Sequence, residues 1–373
     1  MQNERRTAHL SRRGLLCGAA CSVLPLPTAA LAAPADPSRA MLLTDVSEDI
    51  KPQADITKTL NRALQLAQER KIGEVVLPAG EYLVQSIALH SRVKLKGLGR
   101  GSTRLKAMPG NSGPFITLGD GPILHTALEG MTLVGGTPAA ATNPSQWAID
   151  LEAKPVAGSK PANGGLWWSF IQDVQLIGFS KGIRLQGGAI AGNYQLPHQF
   201  LSFRDFVVFL SKDAAGPALK LAGQVAQLSF DQCQFDHNGG IGEITLVEIG
   251  KTGESKAATG PEPSLVRFNV CTFQNGRQAV EVADSQNIAF ASCWFEQLFA
   301  GVQVSNNSVG VTIADCRFAN AARNRPAVEF MDKCHGAVTS NVFAGAQTKV
   351  SIRVAPDSKV AQSNNIQTLG AGE

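Results

Sequence analysis

Phe290-Ala291-Ser292-Cys293-Trp294-Phe295-Glu296 holds the pattern that decides the fold. Its frame, Phe-x-x-Cys-x-Phe, occurs earlier as Phe230/Cys233/Phe235 and Phe268/Cys271/Phe273, and later as Ile313/Cys316/Phe318. Val338/Asn341/Phe343 is a fifth copy, with Asn in the Cys position. Weaker copies lie upstream at Phe203/Phe206/Val208, Ile171/Val174/Leu176 and Leu128/Met131/Leu133. From Cys233 to Asn341 the steps are 38, 22, 23 and 25 residues. The long step contains a polar insertion at about 250–264, and removing it brings the step near the others. A second apolar pair follows each copy, for example Val247/Ile249, Val280/Val282, Val302/Val304 and Val328/Phe330. Both motifs alternate with period two, which is the strand signal. Two or more short strands in a repeat of 22–25 residues predict a solenoid. No helical segment separates the strands, so the expected fold is all-β: a right-handed parallel β-helix. Like positions then stack at about 4.8 Å per coil.

That stacking accounts for the cysteines. Cys17 and Cys21 lie near the N-terminus, and Cys233, Cys271, Cys293, Cys316 and Cys334 lie in the body of the chain. No CxxC pair is present, so a zinc site is not expected. Thiols are small and tolerate burial, so four of them are expected to form an inward ladder. Phe235, Phe273, Phe295, Phe318 and Phe343 are expected to stack beside it. With 44% hydrophobic and 17% charged residues, the chain has too much apolar content for disorder.

The first residues read as an address. Ser11-Arg12-Arg13-Gly14-Leu15-Leu16 resembles a twin-arginine export signal, and Ala30-Leu31-Ala32 fits signal peptidase. The expected organisation is a signal peptide over 1–32, a flexible segment over 33–45 and one β-helix domain over 46–369. The expected destination is the periplasm or the extracellular space. The whole chain carries +4, of which residues 1–32 hold +3, leaving +1 on the mature protein. A basic patch is not evident, so nucleic acid is not an expected partner. Beyond the signal no apolar run is long enough for a bilayer span, so no membrane anchor is expected.

An open solenoid end needs a cover. Asp55 can cap a helix whose apolar face is Ile56, Leu60, Ala63, Leu64 and Ala67. Strand and turn signals follow at Val75-Val76-Leu77-Pro78-Ala79-Gly80-Glu81-Tyr82 and at Val93–Gly97. This opening, with Gly97-Leu98-Gly99, resembles that of the pectate-lyase-like superfamily, which includes rhamnogalacturonase and epimerase-like domains and phage tailspikes. The opening covers about 45–105, and the coil repeat extends the likeness to about 366. The resemblance implies a right-handed parallel β-helix that acts on polysaccharide, as a monomer or a homotrimer. The polygalacturonase motifs and the calcium and arginine signature of pectate lyases are absent. No catalytic residue is therefore carried over by motif.

The repeat still maps the outer surface. Residues after the Cys position should point outward: Gln234, Thr272, Trp294, Arg317, Val342. A second outward column is Asp236, Gln274, Glu296, Ala319, Ala344, and a third is Gln232, Val270, Ser292, Asp315, Ser340. Asp236 and Glu296 are two coils apart, about 10 Å between Cα atoms. Their carboxyl groups then suit an inverting glycosidase, where the spacing is roughly 6.5–9.5 Å. Trp294 offers an apolar plane to a sugar ring. Gln274 sits between the acids, and Arg317 with Asp315 forms a substrate clamp or an ion pair. The other reading of this column is ordinary solvated surface, with Asp236-His237-Asn238-Gly239-Gly240 as a turn. Insertions at about 152–167, 186–199 and 250–264 should build a wall carrying Trp167, Trp168, Tyr194 and His198. Those aromatics suit either sugar contact or a trimer interface.

Three function classes follow. The first is an exported glycoside hydrolase using Asp236 and Glu296. The second is a lyase or uronate epimerase with Arg317 or His237 as base and Ca2+ held by Asp236 and Glu296. The third is a glycan-binding or structural β-helix without catalysis. No cofactor is required by the first or third.

Overall fold

A computed structural model describes residues 36–47, 50–111, 113–136, 147–154, 164–189, 195–238, 242–250, 263–321, 325–345 and 351–368. Residues 1–35, with the expected export signal, Tyr194 and much of the three insertions lie outside the described residues. The chain is a right-handed parallel β-helix. One coil shows the plan: Gln286–Ala291 on a first face, Trp294–Leu298 on a second and Ala300–Ser305 on a third. Among the described residues, strands of the first two faces belong to one 22-stranded sheet, and the third face is a 10-stranded sheet. Successive coils pair in parallel. Among the described residues no helix is long and apolar enough to cross a membrane.

The Phe-x-x-Cys-x-Phe frame sets the interior. Its first position aligns Leu128, Ile171, Phe203, Phe230, Phe268, Phe290, Ile313 and Val338 in register. The four Phe rings stack with centroids 4.5–5.0 Å apart. Its last position stacks Phe235, Phe273, Phe295, Phe318 and Phe343 at 4.4–5.4 Å. The two ladders meet edge to face at 5.7–6.3 Å, a favoured arrangement for aromatic quadrupoles.

Between them lies the thiol ladder. Cys233, Cys271, Cys293 and Cys316 are buried and free. Each thiol reaches the carbonyl of the preceding coil: Phe203, Phe230, Phe268 and Phe290 in turn. Asn341 and Asn365 continue the column, donating to Ile313 O (2.9 Å) and Val338 O (2.8 Å). Hydrogen bonding with Cys271, and then burial, pushes Cys293 up to about 12. Cys334 is also buried and free.

The corner between first and second faces uses one left-handed residue per coil. Asp173, Asp205, Gln232, Val270, Ser292, Asp315, Ser340 and Asn364 have φ of 49–57°. The third outward column expected from the sequence is therefore this corner and not a strand face. Val270 is a costly choice there, because a β-branched residue rarely adopts positive φ.

The helix α1 (Thr57–Glu69) buries Leu60, Ala63, Leu64 and Ala67 as expected. It starts one turn residue later than Asp55 would set as cap. Asp55 Oδ1 instead accepts from the Thr57 N–H (2.9 Å) and hydroxyl (2.6 Å), with Ile56 at the cap position. Thr57 Oγ1 accepts the Gln85 N–H, and Asn61 bonds Ser86 O and the Ala88 N–H. These bonds satisfy backbone groups at the open first coil, so α1 covers that end with polar as well as apolar contacts. Asp36–Leu42 forms a strand paired in parallel with Ile72–Val76.

Candidate functional site

On the second face the outward columns take the expected register. Gln234, Thr272, Trp294, Arg317 and Val342 pair in sequence. Asp236, Gln274, Glu296, Ala319 and Ala344 form the column beside them. The side chains then divide into two groups.

Asp236 is enclosed, with 4% of its surface exposed. Its carboxylate accepts from Gln274 Nε2 (2.5 Å), Asn275 Nδ2 (2.9 Å) and Gln234 Nε2 (3.4 Å). Three amide donors offset the cost of burying this charge. Asp236 was expected to be a surface acid; here it ties Gln234 of its own strand to Gln274 and Asn275 at the end of the next coil's strand. His237 is buried too, and its Nε2 lies 3.1 Å from Lys212 O. Its ring leaves no room for a side chain at Gly242, where a Cβ would come within 2.5 Å of Nδ1. His237 thus faces inward and is not placed to take a proton from a bound sugar.

Trp294, Glu296 and Arg317 form the open group. Trp294 is 38% exposed at the start of the strand Trp294–Leu298. Its indole N–H donates to Glu296 Oε2 at 3.1 Å. The Arg317 guanidinium carbon lies 5.1 Å from the ring centroid, a cation–π contact from the next coil. On the other side the in-register neighbour is Thr272, too small to cover an indole. Gln274 stands between the two groups, one coil from each acid. Asp315 sits at the left-handed corner, apart from this cluster in the strand register.

A calcium cage from Asp236 and Glu296 does not fit these positions. The Asp236 oxygens are taken by amide donors, and Glu296 is two coils away. Among the described residues no group of three or more His, Cys, Asp or Glu side chains converges as metal ligands.

Of the wall residues, His198 turns out to be structural. It is fully buried, and its Nδ1 accepts the Leu166 N–H at 3.2 Å. Nε2 therefore carries the proton and donates to Gln186 O at 3.0 Å. Burial pushes its pKa down to about 4. Trp168 is 47% exposed, yet both of its faces are covered, by His125 (5.4 Å) and Phe200 (5.6 Å). All three residues have positive φ, 48–58°, and sit in a second left-handed column at the start of the first face. A sugar ring has no free face of Trp168 to stack on.

The sequence reading missed the outer column of the third face. Thr117, Asp150, Arg184, Lys220, Glu248, Glu281, Gln303, Glu329 and Arg353 align in register. Arg184 binds Asp150 through two hydrogen bonds (2.7 and 2.9 Å), and Arg353 pairs with Glu329 (3.0 Å). The signal was available: each of these residues from Asp150 onward is the one flanked by the second apolar pair.

No protein-family model matches the chain, and no curated protein matches it by sequence. Its fold does have solved counterparts. One is the tailspike of Escherichia coli bacteriophage HK620, solved as a double mutant with a pentasaccharide (TM-score 0.62, 10% identity, 88% of this chain and 67% of that one). Another is PfbA, a surface adhesin of Streptococcus pneumoniae (TM-score 0.61, 12% identity, 90% and 91%). A third is tailspike gp49 of Acinetobacter baumannii bacteriophage Fri1, a capsular polysaccharide depolymerase (TM-score 0.57, 13% identity, 89% and 62%). The chain thus corresponds to about 62% of the length of that last tailspike. These likenesses are of fold alone, the right-handed parallel β-helix.

Proposed function

We propose that this chain is an exported, polysaccharide-active β-helix protein that holds a glycan along its second face, across Trp294. The observation that carries this reading is an exposed indole fixed on a strand by Glu296 and flanked by Arg317. An exposed Trp so held gives a sugar an apolar surface at little entropic cost, with hydrogen-bonding groups at its edge. Tailspikes of the same fold, one solved with a pentasaccharide and one a capsular polysaccharide depolymerase, support the substrate class. The twin-arginine segment and its small-residue cleavage motif support export.

Hydrolysis is the second reading, favoured by the register that sets Asp236 and Glu296 two coils apart in one column. Glu296 would protonate the leaving glycosidic oxygen as the anomeric C–O bond breaks. Asp236 would take the proton of the water that attacks the anomeric carbon. For that, Asp236 must exchange an amide of Gln274 for the water, which makes binding the reading the geometry favours more directly.

Product analysis on a polysaccharide panel tests both. New reducing ends mean hydrolysis, and an unsaturated uronate absorbance means a lyase. Retention of intact polymer means a binding protein. If hydrolysis is found, Glu296→Gln should abolish turnover and keep binding. A panel in which no glycan is bound or changed would overturn the proposal.

A further inference from the structure

We infer that Lys181, on the third face, is a nucleophilic amine that captures aldehydes as a Schiff base. The site lies on a different face from Trp294 and does not rest on the glycan reading. Lys181 opens the strand Lys181–Gln186 and pairs in register with Trp147. Its Nζ lies 5.5 Å from the centre of the Trp147 ring, and the Arg184 guanidinium carbon lies 5.9 Å from the same centre. The Lys181 stem also runs along Gly216, where a Cβ would come within 2.9–3.1 Å of Lys181 Cγ, Cδ and Cε. A buried ring and a glycine backbone therefore confine a half-buried lysine. The strand-face cations Arg204, Arg267 and Lys359, which also lack an ion pair among the described residues, are by contrast exposed.

The charges around the amine set its chemistry. Three cations gather here: Lys181 and Arg184 on one strand, and Lys220 in register with Arg184 on the next. The acids nearby are directed at the other two. Asp150 gives both carboxylate oxygens to Arg184 (2.7 and 2.9 Å), and Glu152 reaches Arg184 at 3.4 Å. Glu248 stands in register with Lys220. Among the described residues none of these acids forms an ion pair with Lys181. Burial first, then the charges of Arg184 and Lys220, push the Lys181 amine below the ordinary lysine range, against the opposing pull of Asp150 and Glu248. Lys94 makes the contrast. It too lies over a ring, Phe170 at 6.0 Å, and is partly buried, yet Glu129 (3.0 Å) and Glu74 (3.2 Å) hold it and its pKa is raised. A lysine desolvated beside other cations keeps more of its amine neutral, and the neutral amine is the nucleophile. Its nitrogen lone pair adds to the aldehyde carbon, and the C=O pair moves to oxygen. Loss of that oxygen as water leaves the C=N bond, so the step needs no further reactant.

Glyceraldehyde with cyanoborohydride tests this on the full-length chain at pH 7. Reduction fixes each Schiff base as a secondary amine, which peptide mass mapping locates. The expected result is at least tenfold faster modification of Lys181 than of the exposed Lys51 and Lys58. Lys181→Arg should lose the fast site and leave the slow ones unchanged. Its melting temperature should also hold, because Arg keeps the charge and the contact with the ring. Lys220→Gln removes a like charge and should slow Lys181 severalfold. The preference for Lys181 should shrink as pH rises toward about 10, where ordinary lysines shed their protons too. Modification of Lys181 no faster than of Lys51 and Lys58 overturns the assignment. A fast Lys181 that is indifferent to pH and to Lys220→Gln overturns the part given to its charged neighbours.

Discussion

The inner and outer columns of the same strands follow opposite rules. Inside, position after position repeats: four thiols, then Asn341, with Phe rings on either side. Outside, the column beside them reads Gln234, Thr272, Trp294, Arg317, Val342, five different chemistries on one ladder. Stacking explains the difference. A side chain inside a coil has its own copy as neighbour above and below, so identity solves the packing at every level. An outward side chain meets water on one side, and its choice is free of that constraint. Repetition therefore marks structure, and its loss outside marks where function can sit.

The largest expected effect tests the inner rule. Phe273 stacks on Phe235 and Phe295 and meets Phe268 and Phe290 edge to face. Phe273→Ala should cost about 3–5 kcal/mol, since the ladder holds its shape around the cavity. Denaturant unfolding measures it, and a loss below about 1 kcal/mol would show that the coils collapse independently.

This inner rule is also why so much of the fold was legible. A period of 22–25 residues, a Cys flanked by Phe and a helix with one apolar face each report an interior contact. Asp236 was legible as to column but not as to burial, because its enclosure depends on amides of its own strand and of the next coil. Gln274 and Asn275 carry no period that would announce them. Trp168 was legible as exposed, but its covered faces depend on His125 and Phe200, which reach it through positive φ that interrupts the alternation. Trp294, Glu296 and Arg317 came out together because plain strand alternation places them.

His198 gives the next effect, and it distinguishes the inserted region from the regular coils. Its pKa is about 4 when folded and about 6.5 as a free side chain. The unfolded state then binds more protons between those values, so stability is fully present above about pH 6.5 and falls as pH drops toward 4. The difference amounts to about 3 kcal/mol. Urea unfolding at pH 7 and pH 4.5 should show a smaller pH dependence in His198→Gln than in the wild type. Equal dependence would mean that His198 is protonated in the folded protein.

A smaller effect separates the two acids of one column. Asp236→Asn keeps the shape but turns an amide N–H toward donors from Gln274 and Asn275. It should cost about 1–3 kcal/mol, the scale of a buried polar group left without a partner. Glu296→Gln, on the open side of the same column, should change stability by less than about 0.5 kcal/mol. Paired melting curves of the two variants check this. Equal losses would show that both acids serve the fold, leaving Trp294 and Arg317 as the functional part of the face.

The smallest expected effect asks whether the inner column needs thiols at all. Asn341 shows how an amide does the same work: its Nδ2 donates to Ile313 O at 2.9 Å and its Oδ1 accepts the Cys316 N–H at 2.9 Å. Asn365 repeats the pattern one coil on, accepting the Asn341 N–H at 3.0 Å, so consecutive coils hold consecutive amides. Cys316 fills both roles with sulfur, reaching Phe290 O at 3.7 Å and accepting the Cys293 N–H at 3.4 Å. Cys316→Asn should therefore extend the amide column and change stability by less than about 1 kcal/mol, since stronger bonds offset the desolvation of a more polar group. Cys316→Val has a similar volume but no acceptor, and it leaves the Cys293 N–H buried without a partner. Its loss should be larger, about 1–3 kcal/mol. If the order is reversed, apolar packing and not hydrogen bonding holds this column, and the thiols are there as small hydrophobes alone.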